Sequence, residues 1–419
     1  MIKRKKLASF LIGFAIFSLT NVTAALISPK NVCKTFEGYY TNRDCYYNPD
    51  QVLEVPDLVR RYNYSLEEYE ITTPDDYFLK IFRIPSKDPN GEPVLLQHGV
   101  LASSENFLII GNSSLGFVLA NEGYDVWLGN FRGTRYSNKH RYLRKSDREY
   151  WNFSFDELGS FDVQSTIDLI HRTTKQPAIY IGYSLGAIAG HVYSSAYPDE
   201  AENKVKVMIS MAPATLIETS KSILRFFRPY WNLLQRLVNV HNHGELFTRD
   251  GPLIKYIRSV CFPYPHQLKM CLGFIQLAFG INEDQINPET LPITLYHDGD
   301  SISIKTVVHL SQVAMSRKFH KFDYGMDVNL RVYNSSTPPL YNLNSIKVPN
   351  YLMYGRGDFV AGKKAVFDLY KQLSKRGRKY GVYAIKHPSF AHTDFMIGKD
   401  VKELVYDHIV EFLRKLKNH

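Results

Sequence analysis

A serine between two glycines is the residue of this chain best placed to act as a nucleophile. Ser184 stands at the centre of the run Gly182-Tyr183-Ser184-Leu185-Gly186, which fits the pattern G-x-S-x-G. Glycines allow a sharp turn whose apex lifts the serine hydroxyl clear of the backbone, where it can attack a carbonyl carbon. The pattern is weak by itself. The prediction of a nucleophile therefore depends on its partners and on the elements around it.

A serine nucleophile needs a base to take its proton and a carboxylate to orient that base. On a scaffold with this kind of turn, the acid and then the histidine follow the serine along the chain. Asp358 ends the glycine-flanked turn Gly355-Arg356-Gly357-Asp358, and the loop from Lys386 to Thr393 contains His387 and His392. The sequence thus predicts a triad of Ser184, Asp358 and His392, with His387 as a neighbour on the same loop.

A turn early in the chain predicts an oxyanion hole, the third requirement of acyl transfer. The apolar strand Pro93–Gln97 runs into His98-Gly99-Val100-Leu101. Backbone N–H groups in such a turn and on the residue after the nucleophile stabilise the oxyanion of the tetrahedral intermediate. We expect these donors to be the N–H groups of Val100 and Leu185. His98 precedes the nucleophile, which makes it a poorer candidate for the base than His392.

Alternating strand and helix patterns predict the scaffold that positions these groups. An apolar run over residues 177–181 leads into the serine turn, and residues 187–196 after it have helical composition. Strand patterns recur with helices between them as far as Pro213 and resume at Val348. The alternation predicts an α/β fold of the α/β-hydrolase type, with a mostly parallel central sheet and helices on both faces.

The segment between the two parts of the sheet predicts a separate, mainly helical cap. Roughly 125 residues with amphipathic helical patterns are too many for a loop. Within them, Leu246 to Ile281 mixes many apolar side chains with few charges, as expected of a lid over an apolar site. The predicted organisation is a signal peptide (1–24), an N-terminal extension (25–60), a first part of the hydrolase core (61–212), the helical cap with its lid (213–340) and a second part of the core (341–419).

Three further motifs lie in the runs Leu96 to Ser104, Gly123 to Gly133 and Trp151 to Glu157. They resemble the signatures of the acid lipases, the family of gastric and lysosomal acid lipase and their insect relatives. Agreement continues through residues 323–325, 338–342 and 390–395, so the resemblance covers nearly the whole chain after the signal peptide. It implies an α/β-hydrolase lipase with Ser184 as nucleophile, Asp358 as acid, His392 as base, and the N–H groups of Val100 and Leu185 as oxyanion hole.

The serine turn departs from the family pattern at two positions. The acid lipases usually carry Gly-His-Ser-Gln-Gly, whereas this chain has Tyr183 in place of the histidine and Leu185 in place of the glutamine. Because the oxyanion hole uses the backbone N–H of residue 185, we expect the chemistry to survive. Substrate preference and pH optimum are the properties that these replacements put in question.

The N-terminus predicts entry into the secretory pathway. Lys3-Arg4-Lys5-Lys6 precedes an apolar run from Leu7 to Leu19 and small residues up to Ala25. This is the arrangement of a signal peptide, which we expect to be cleaved near Ala24. The apolar run is shorter than the roughly 20 residues that a transmembrane helix needs, and we expect no other apolar stretch to be long enough to span a membrane. We expect a secreted protein, extracellular or in a gut lumen, with the lysosome as an alternative.

Four cysteines, an even number, predict two disulfides. Proximity along the chain favours Cys33–Cys45 and Cys261–Cys271. The resemblance places a family disulfide at the second pair, whereas the first pair lies in the N-terminal extension.

Sequons predict N-glycosylation at Asn63, Asn112 and Asn334. A further sequon at Asn152 lies within an aromatic motif. Its setting predicts that this asparagine is too buried to be modified.

Charge and spacing disfavour other classes of protein. The formal net charge is +10, but no dense basic stripe with interleaved aromatic residues marks a nucleic-acid site. The run His241-Asn242-His243-Gly244-Glu245 lacks further ligands at the spacing that a metal site needs. We expect no metal, no cofactor and no nucleic-acid partner, and the oligomeric state is not predicted.

The combined motifs predict a serine esterase that acts on neutral lipid esters at a lipid–water interface, triacylglycerols first and cholesteryl esters second. Two alternatives stay open. One is an esterase for small soluble esters, which the large apolar cap disfavours. The other is a non-catalytic lipid-binding protein on a hydrolase scaffold, which the intact serine, aspartate and histidine set disfavours.

Overall fold

The structure is a computed structural model that describes residues 32–42, 45, 48–226, 230–248, 251–261, 265–297 and 299–417. The predicted signal peptide, residues 1–24, lies outside the described residues. The strands are β1 (Glu67–Thr72), β2 (Tyr77–Ile84), β3 (Pro93–Gln97), β4 (Asp125–Gly129), β5 (Lys139–His140), β6 (Ala178–Tyr183), β7 (Val205–Met211), β8 (Glu245–Leu246), β9 (Ile302–Ser303), β10 (Asn350–Tyr354) and β11 (Val382–Ala384). The central strands β3, β4, β6, β7 and β10 are predominantly apolar runs of the sequence, whereas β1, β5 and β8 are not.

A central sheet, in the order β1-β2-β4-β3-β6-β7-β10-β11, carries the site, and the short β5 pairs with β2. β1 and β2 form an antiparallel hairpin, and β2 also pairs antiparallel with β4. All neighbouring pairs from β4 to β11 are parallel. The carboxyl ends of β3, β6, β10 and β11 therefore meet at one edge of the sheet, where the predicted site residues follow them.

Helices cover both faces of the sheet and build the cap. They are α1 (Gly38–Thr41), α2 (Val55–Arg61), α3 (Leu115–Asn121), α4 (Phe155–Glu157), α5 (Gln164–Thr174), α6 (Leu185–Ala196), α7 (Pro198–Lys204), α8 (Trp231–His241), α9 (Pro252–Cys261), α10 (Pro265–Phe279), α11 (Leu291–His297), α12 (Ile304–Ser316), α13 (Met326–Tyr333), α14 (Lys363–Gln372), α15 (Asp394–Ile397) and α16 (Asp407–Lys417). π-helical turns at Leu158–Val163 and Lys402–Tyr406 lead into α5 and α16.

Two apolar cores lie on opposite faces of the sheet. Side chains alternate between the faces along each strand, so that Trp127 and Tyr180 enter one core while their neighbours Val126 and Ile179 enter the other. β3, β4, β6 and β10 are buried along their whole length. A strand buried on both faces is typical of a parallel sheet covered by helices.

The cap lies between β7 and β10 and contains helices α8 to α13. It is mainly helical, as predicted, with one addition. The short strands β8 and β9 pair antiparallel within it. In the part of the chain that is described, no helix has both the length and the apolar character needed to cross a membrane.

Both cysteine pairs favoured by the sequence are bonded, Cys33 to Cys45 and Cys261 to Cys271. The second bond joins the end of α9 to the middle of α10. It therefore holds the two helices of the lid segment together at one point.

The three predicted glycosylation sites, Asn63, Asn112 and Asn334, are exposed. The expectation for Asn152 is wrong, because this residue is exposed as well. Its aromatic neighbours Trp151 and Phe153 point into the core, and the side chain between them faces outward. Aromatic neighbours therefore do not indicate burial where side chains alternate in direction.

Candidate active site

The serine turn joins β6 to α6 and is sharply constrained. Ser184 has a φ of 51°, a conformation that a non-glycine residue rarely adopts. A Cβ on Gly186 would lie 2.2 Å from the carbonyl oxygen of Gln97, and one on Gly182 would lie 2.7 Å from the backbone nitrogen of Ala187. Both glycines are therefore needed for the close approach of backbone to backbone that the turn requires.

Ser184, His392 and Asp358 form one chain of hydrogen bonds. The Nε2 atom of His392 lies 2.9 Å from Oγ of Ser184, and its Nδ1 atom lies 2.8 Å from Oδ2 of Asp358. All three side chains are buried. Oδ1 of Asp358 accepts the backbone N–H groups of Val360 and Ala361, each at 2.7 Å. These bonds hold the carboxyl group in place, so that its other oxygen can orient the imidazole.

His387, the other histidine of the loop, lies away from this chain. Its ring is half-buried and packs beside Phe390, with 6.4 Å between the ring centroids. The structure thus brings His392, and not His387, to the serine.

The ring of His392 is fixed by two aromatic side chains. The hydroxyl of Tyr183 donates to the carbonyl oxygen of His392 at 3.0 Å. The ring of Phe279, at the end of α10, stacks on the imidazole with 5.7 Å between the centroids and an angle of 17° between the planes. Tyr183 is one of the two departures from the family pattern, and here it supports the histidine loop.

The predicted oxyanion donors belong to two neighbouring elements of the site. Val100 is in the turn after β3, and Leu185 is the first residue of α6. The first N–H groups of a helix have no partner within the helix, so the N–H of Leu185 can bind a negatively charged oxygen. A Cβ on Gly99 would lie 2.9 Å from the ring of Tyr183. The glycine thus lets the oxyanion turn pack against the residue before the serine.

His98 has a structural role beside this turn. Its Nδ1 atom lies 2.8 Å from the carbonyl oxygen of Gly99, and its Nε2 atom accepts the backbone N–H of Phe131 at 3.1 Å. These partners require the neutral ring with its proton on Nδ1. Burial lowers the pKa of His98 from 6.5 to about 4, which is consistent with a neutral ring.

We expect His98 to make the fold less stable in acid. Its pKa is about 6.5 in the unfolded chain and about 4 in the folded one, so the unfolded chain binds the extra proton between these values. As the pH falls through this range, the free energy of unfolding should decrease by up to about 3 kcal/mol from this residue. Urea unfolding at pH 7 and pH 4.5 should show a smaller decrease for His98→Gln than for the wild type. An equal decrease in the two proteins would contradict this role.

A cavity of about 600 Å³ opens over Ser184 and His392. Its walls are mostly apolar and come from the oxyanion turn, from α9, α10 and α11 of the cap, and from α15. The apolar residues lining it include Val100, Leu101, Phe247, Ile254, Ile257, Met270, Leu272, Phe274, Ile275, Phe279, Leu291, Leu295, Met396 and Ile397. The disulfide-bonded residues Cys261 and Cys271 also line the cavity.

The cap also exposes large apolar side chains to solvent. They belong to α8, α9, α10 and the residues that follow α10. The exposed residues are Leu233, Leu237, Val240, Leu253, Tyr256, Ile257, Met270, Phe274, Leu277 and Ile281. Of these residues, Tyr256, Ile257, Met270 and Phe274 also line the open cavity, whereas the other six do not. Exposed apolar side chains of this kind suit contact with a lipid surface.

Two groups of residues at the site were not predicted from the sequence. Phe279 and Tyr183 fix His392, and Asn282 and Asp394 bond to each other beside it. Phe279 and Asn282 lie in the cap, more than 70 residues from Asp358 and more than 100 from His392. The motif containing His392 also includes Asp394, which was the one available signal.

Comparison with known proteins identifies the family. The family model for the alpha/beta hydrolase fold matches residues 92–255 of this chain. The family model for the partial alpha/beta-hydrolase lipase region matches residues 55–111. Gastric triacylglycerol lipase of Bos taurus is 31% identical over 380 residues, which are 88% of this chain and 93% of that one. This chain belongs to the acid lipase family. Its resemblance to the acid lipases, predicted from the motifs, is thereby confirmed.

Other acid lipases match over the same extent. Lysosomal acid lipase/cholesteryl ester hydrolase of Macaca fascicularis is 30% identical, covering 88% of this chain and 92% of its own. Lipase 1 of Drosophila melanogaster is 31% identical, covering 88% and 81%. A crystal structure from Sulfolobus solfataricus matches with a TM-score of 0.51 at 16% identity, covering 84% of this acid lipase and 99% of that protein. That likeness confirms the predicted α/β-hydrolase fold.

Proposed function

We propose that this acid lipase hydrolyses neutral lipid esters through an acyl-enzyme on Ser184. The observation that carries the proposal is the hydrogen-bond chain of Ser184, His392 and Asp358 at the floor of a mostly apolar cavity of about 600 Å³. A nucleophile with an oriented base serves acyl transfer. An apolar cavity suits the acyl chains of a lipid ester.

The proposed reaction has two steps. Oγ of Ser184 attacks the ester carbonyl while Nε2 of His392 takes the hydroxyl proton, and the Asp358 carboxylate stabilises the resulting imidazolium. The N–H groups of Val100 and Leu185 bind the oxyanion. When the intermediate collapses, the alcohol leaves with the proton from His392. Water, deprotonated by His392, then attacks the acyl-enzyme and releases the fatty acid.

The features of the cap favour a water-insoluble substrate rather than a small soluble ester. Its helices α9, α10 and α11 line the cavity, and α8, α9 and α10 expose apolar side chains. The names of the relatives include both a triacylglycerol lipase and a cholesteryl ester hydrolase. We propose triacylglycerols as the first substrate class and cholesteryl esters as the second.

The substrate proposal is tested by hydrolysis of emulsified triolein, tributyrin, cholesteryl oleate and dissolved p-nitrophenyl butyrate between pH 4 and pH 8. Turnover of triolein is the expected result. Activity restricted to the dissolved ester would instead support an esterase for small substrates. A protein that binds lipid but is not labelled by a fluorophosphonate would be a non-catalytic carrier.

The Cys261–Cys271 bond should affect lipid substrates selectively. It encloses a short loop, and in the chain-entropy account such a bridge contributes only about 2–3 kcal/mol. Both cysteines line the cavity, but they belong to α9 and α10 and not to the serine turn or the histidine loop. Cys261→Ser with Cys271→Ser should therefore lower activity on emulsified triolein far more than on p-nitrophenyl butyrate. Equal losses would show that the bridge supports the whole fold, and unchanged activity on both would separate it from the lid.

We further propose that the protein is secreted or lysosomal. Two disulfides support location in an oxidising compartment outside the cytoplasm. The N-terminal sequence, which has the pattern of a signal peptide, supports the same location. We expect the exposed residues Asn63, Asn112 and Asn334 to carry N-glycans there.

A further inference from the structure

The lid helix α10 ends directly against the two loops that carry Asp358 and His392. The carbonyl oxygen of Phe279, its last residue, accepts the backbone N–H of Phe359 at 3.3 Å and that of His392 at 3.4 Å. The ring of the same residue stacks on the imidazole of His392. One cap residue therefore touches the histidine and the backbone next to the aspartate.

The backbone after the helix passes between these loops. Gly280 has a φ of 130°, in the region that favours glycine. A Cβ there would lie 2.4 Å from the carbonyl oxygen of Gly357 and 2.8 Å from Cβ of Ala391. Gly357 precedes the aspartate and Ala391 precedes the histidine, so the chain makes close contact with both loops at once.

Asn282 then bonds to the histidine loop on both sides of His392. Its Nδ2 atom donates to Oδ2 of Asp394 at 2.6 Å, and its Oδ1 atom accepts the hydroxyl of Ser389 at 3.1 Å. The same Oδ2 atom of Asp394 accepts the N–H of Ala391 at 2.7 Å. The side chain of Asn282 is buried, so these bonds are shielded from water.

The same helix also carries exposed apolar side chains. Met270 and Phe274 are exposed where they line the open cavity, and Leu277 is exposed outside it. With 15 residues, the helix is about 22 Å long. These exposed side chains and the end that contacts the histidine loop therefore belong to one continuous helix.

We propose that the junction of Phe279 to Asn282 is a positioning element for His392, in which Asn282 couples the location of the lid helix to the alignment of the proton relay. The inference rests on the proposed function, because it assigns a regulator to that same relay. A lid helix displaced at a lipid surface would then change kcat as well as access to the cavity.

Asn282→Ala tests the coupling on a substrate that does not need the lid. With p-nitrophenyl butyrate, we expect kcat to fall on the order of 10- to 100-fold and KM to change less than about twofold, because only the alignment of the base is lost. The matched control is Gln285→Ala. Gln285 is also buried, and its amide bonds to the side chain and backbone of Asp400, beyond the histidine loop. This control should lower the melting temperature and leave kcat unchanged.

Asn282→Asp supplies a second readout that keeps the shape of the side chain. Burial raises the pKa of Asp394 to about 6, although the hydrogen bonds from Ala391 and Asn282 and the charge of His387 lower it, and the Asp358 charge adds to the rise. Two adjoining carboxyl groups can share one proton in acid but repel each other when both ionise. The ratio of variant to wild-type kcat should therefore fall as the pH rises from 5 to 8. The ratio for Asn282→Ala should change much less over this range, because only one carboxyl group is present in that variant.

The outcomes separate the inference from the function it rests on. If the wild type hydrolyses esters and Asn282→Ala keeps its kcat while losing as much stability as Gln285→Ala, Asn282 is only structural and the coupling is rejected. A flat ratio for Asn282→Asp also rejects it. If the wild type itself shows neither turnover nor labelling of Ser184, the proposed function fails first.

Discussion

Ser184→Ala should abolish ester turnover and covalent labelling by a fluorophosphonate, and the protein should stay folded. The hydroxyl is the only group removed, and it lies 2.9 Å from the base in His392. Loss of a member of such a triad typically lowers the rate by a factor on the order of 10⁴ or more. The rate on p-nitrophenyl butyrate, the mass of the labelled protein and the circular dichroism spectrum measure the three parts of this expectation.

Ser194→Ala is the matched control for that substitution. Ser194 is also buried and lies on α6, the helix that begins after Ser184. Because its hydroxyl does not line the cavity, turnover and labelling should stay at the level of the wild type. Activity of Ser184→Ala close to the control would reject the nucleophile.

The parts of the site that depend on local sterics can be predicted from sequence. The turn at Ser184 needs Gly182 and Gly186, since a Cβ at either position would collide with the backbone. Buried parallel strands appear as short apolar runs, and the predicted strand at Pro93–Gln97 coincides with β3. Chain order then restricts the acid and the base to the loops after later strands.

Contacts between distant parts of the chain could not be predicted in this way. Phe279 and Asn282 reach the histidine loop only because the cap folds back over the sheet, and neither belongs to a short motif. The direction of one side chain is equally hidden, as the exposed Asn152 shows. The way the cap helices pack on the sheet decides which of their residues reach the site. The periodicity of a single sequence indicates the helices but not this packing.

His392→Ala should lower kcat about as much as Ser184→Ala, whereas His387→Ala should keep most of the activity. Both histidines lie on one loop, but only His392 bonds to both the serine and Asp358. Asp358→Asn should leave the fold intact and lower kcat by roughly 10⁴-fold, since an amide cannot hold the correct tautomer. Steady-state rates and melting temperatures of the three variants test this assignment. A large loss in His387→Ala, with His392→Ala active, would mean that the base is the other histidine.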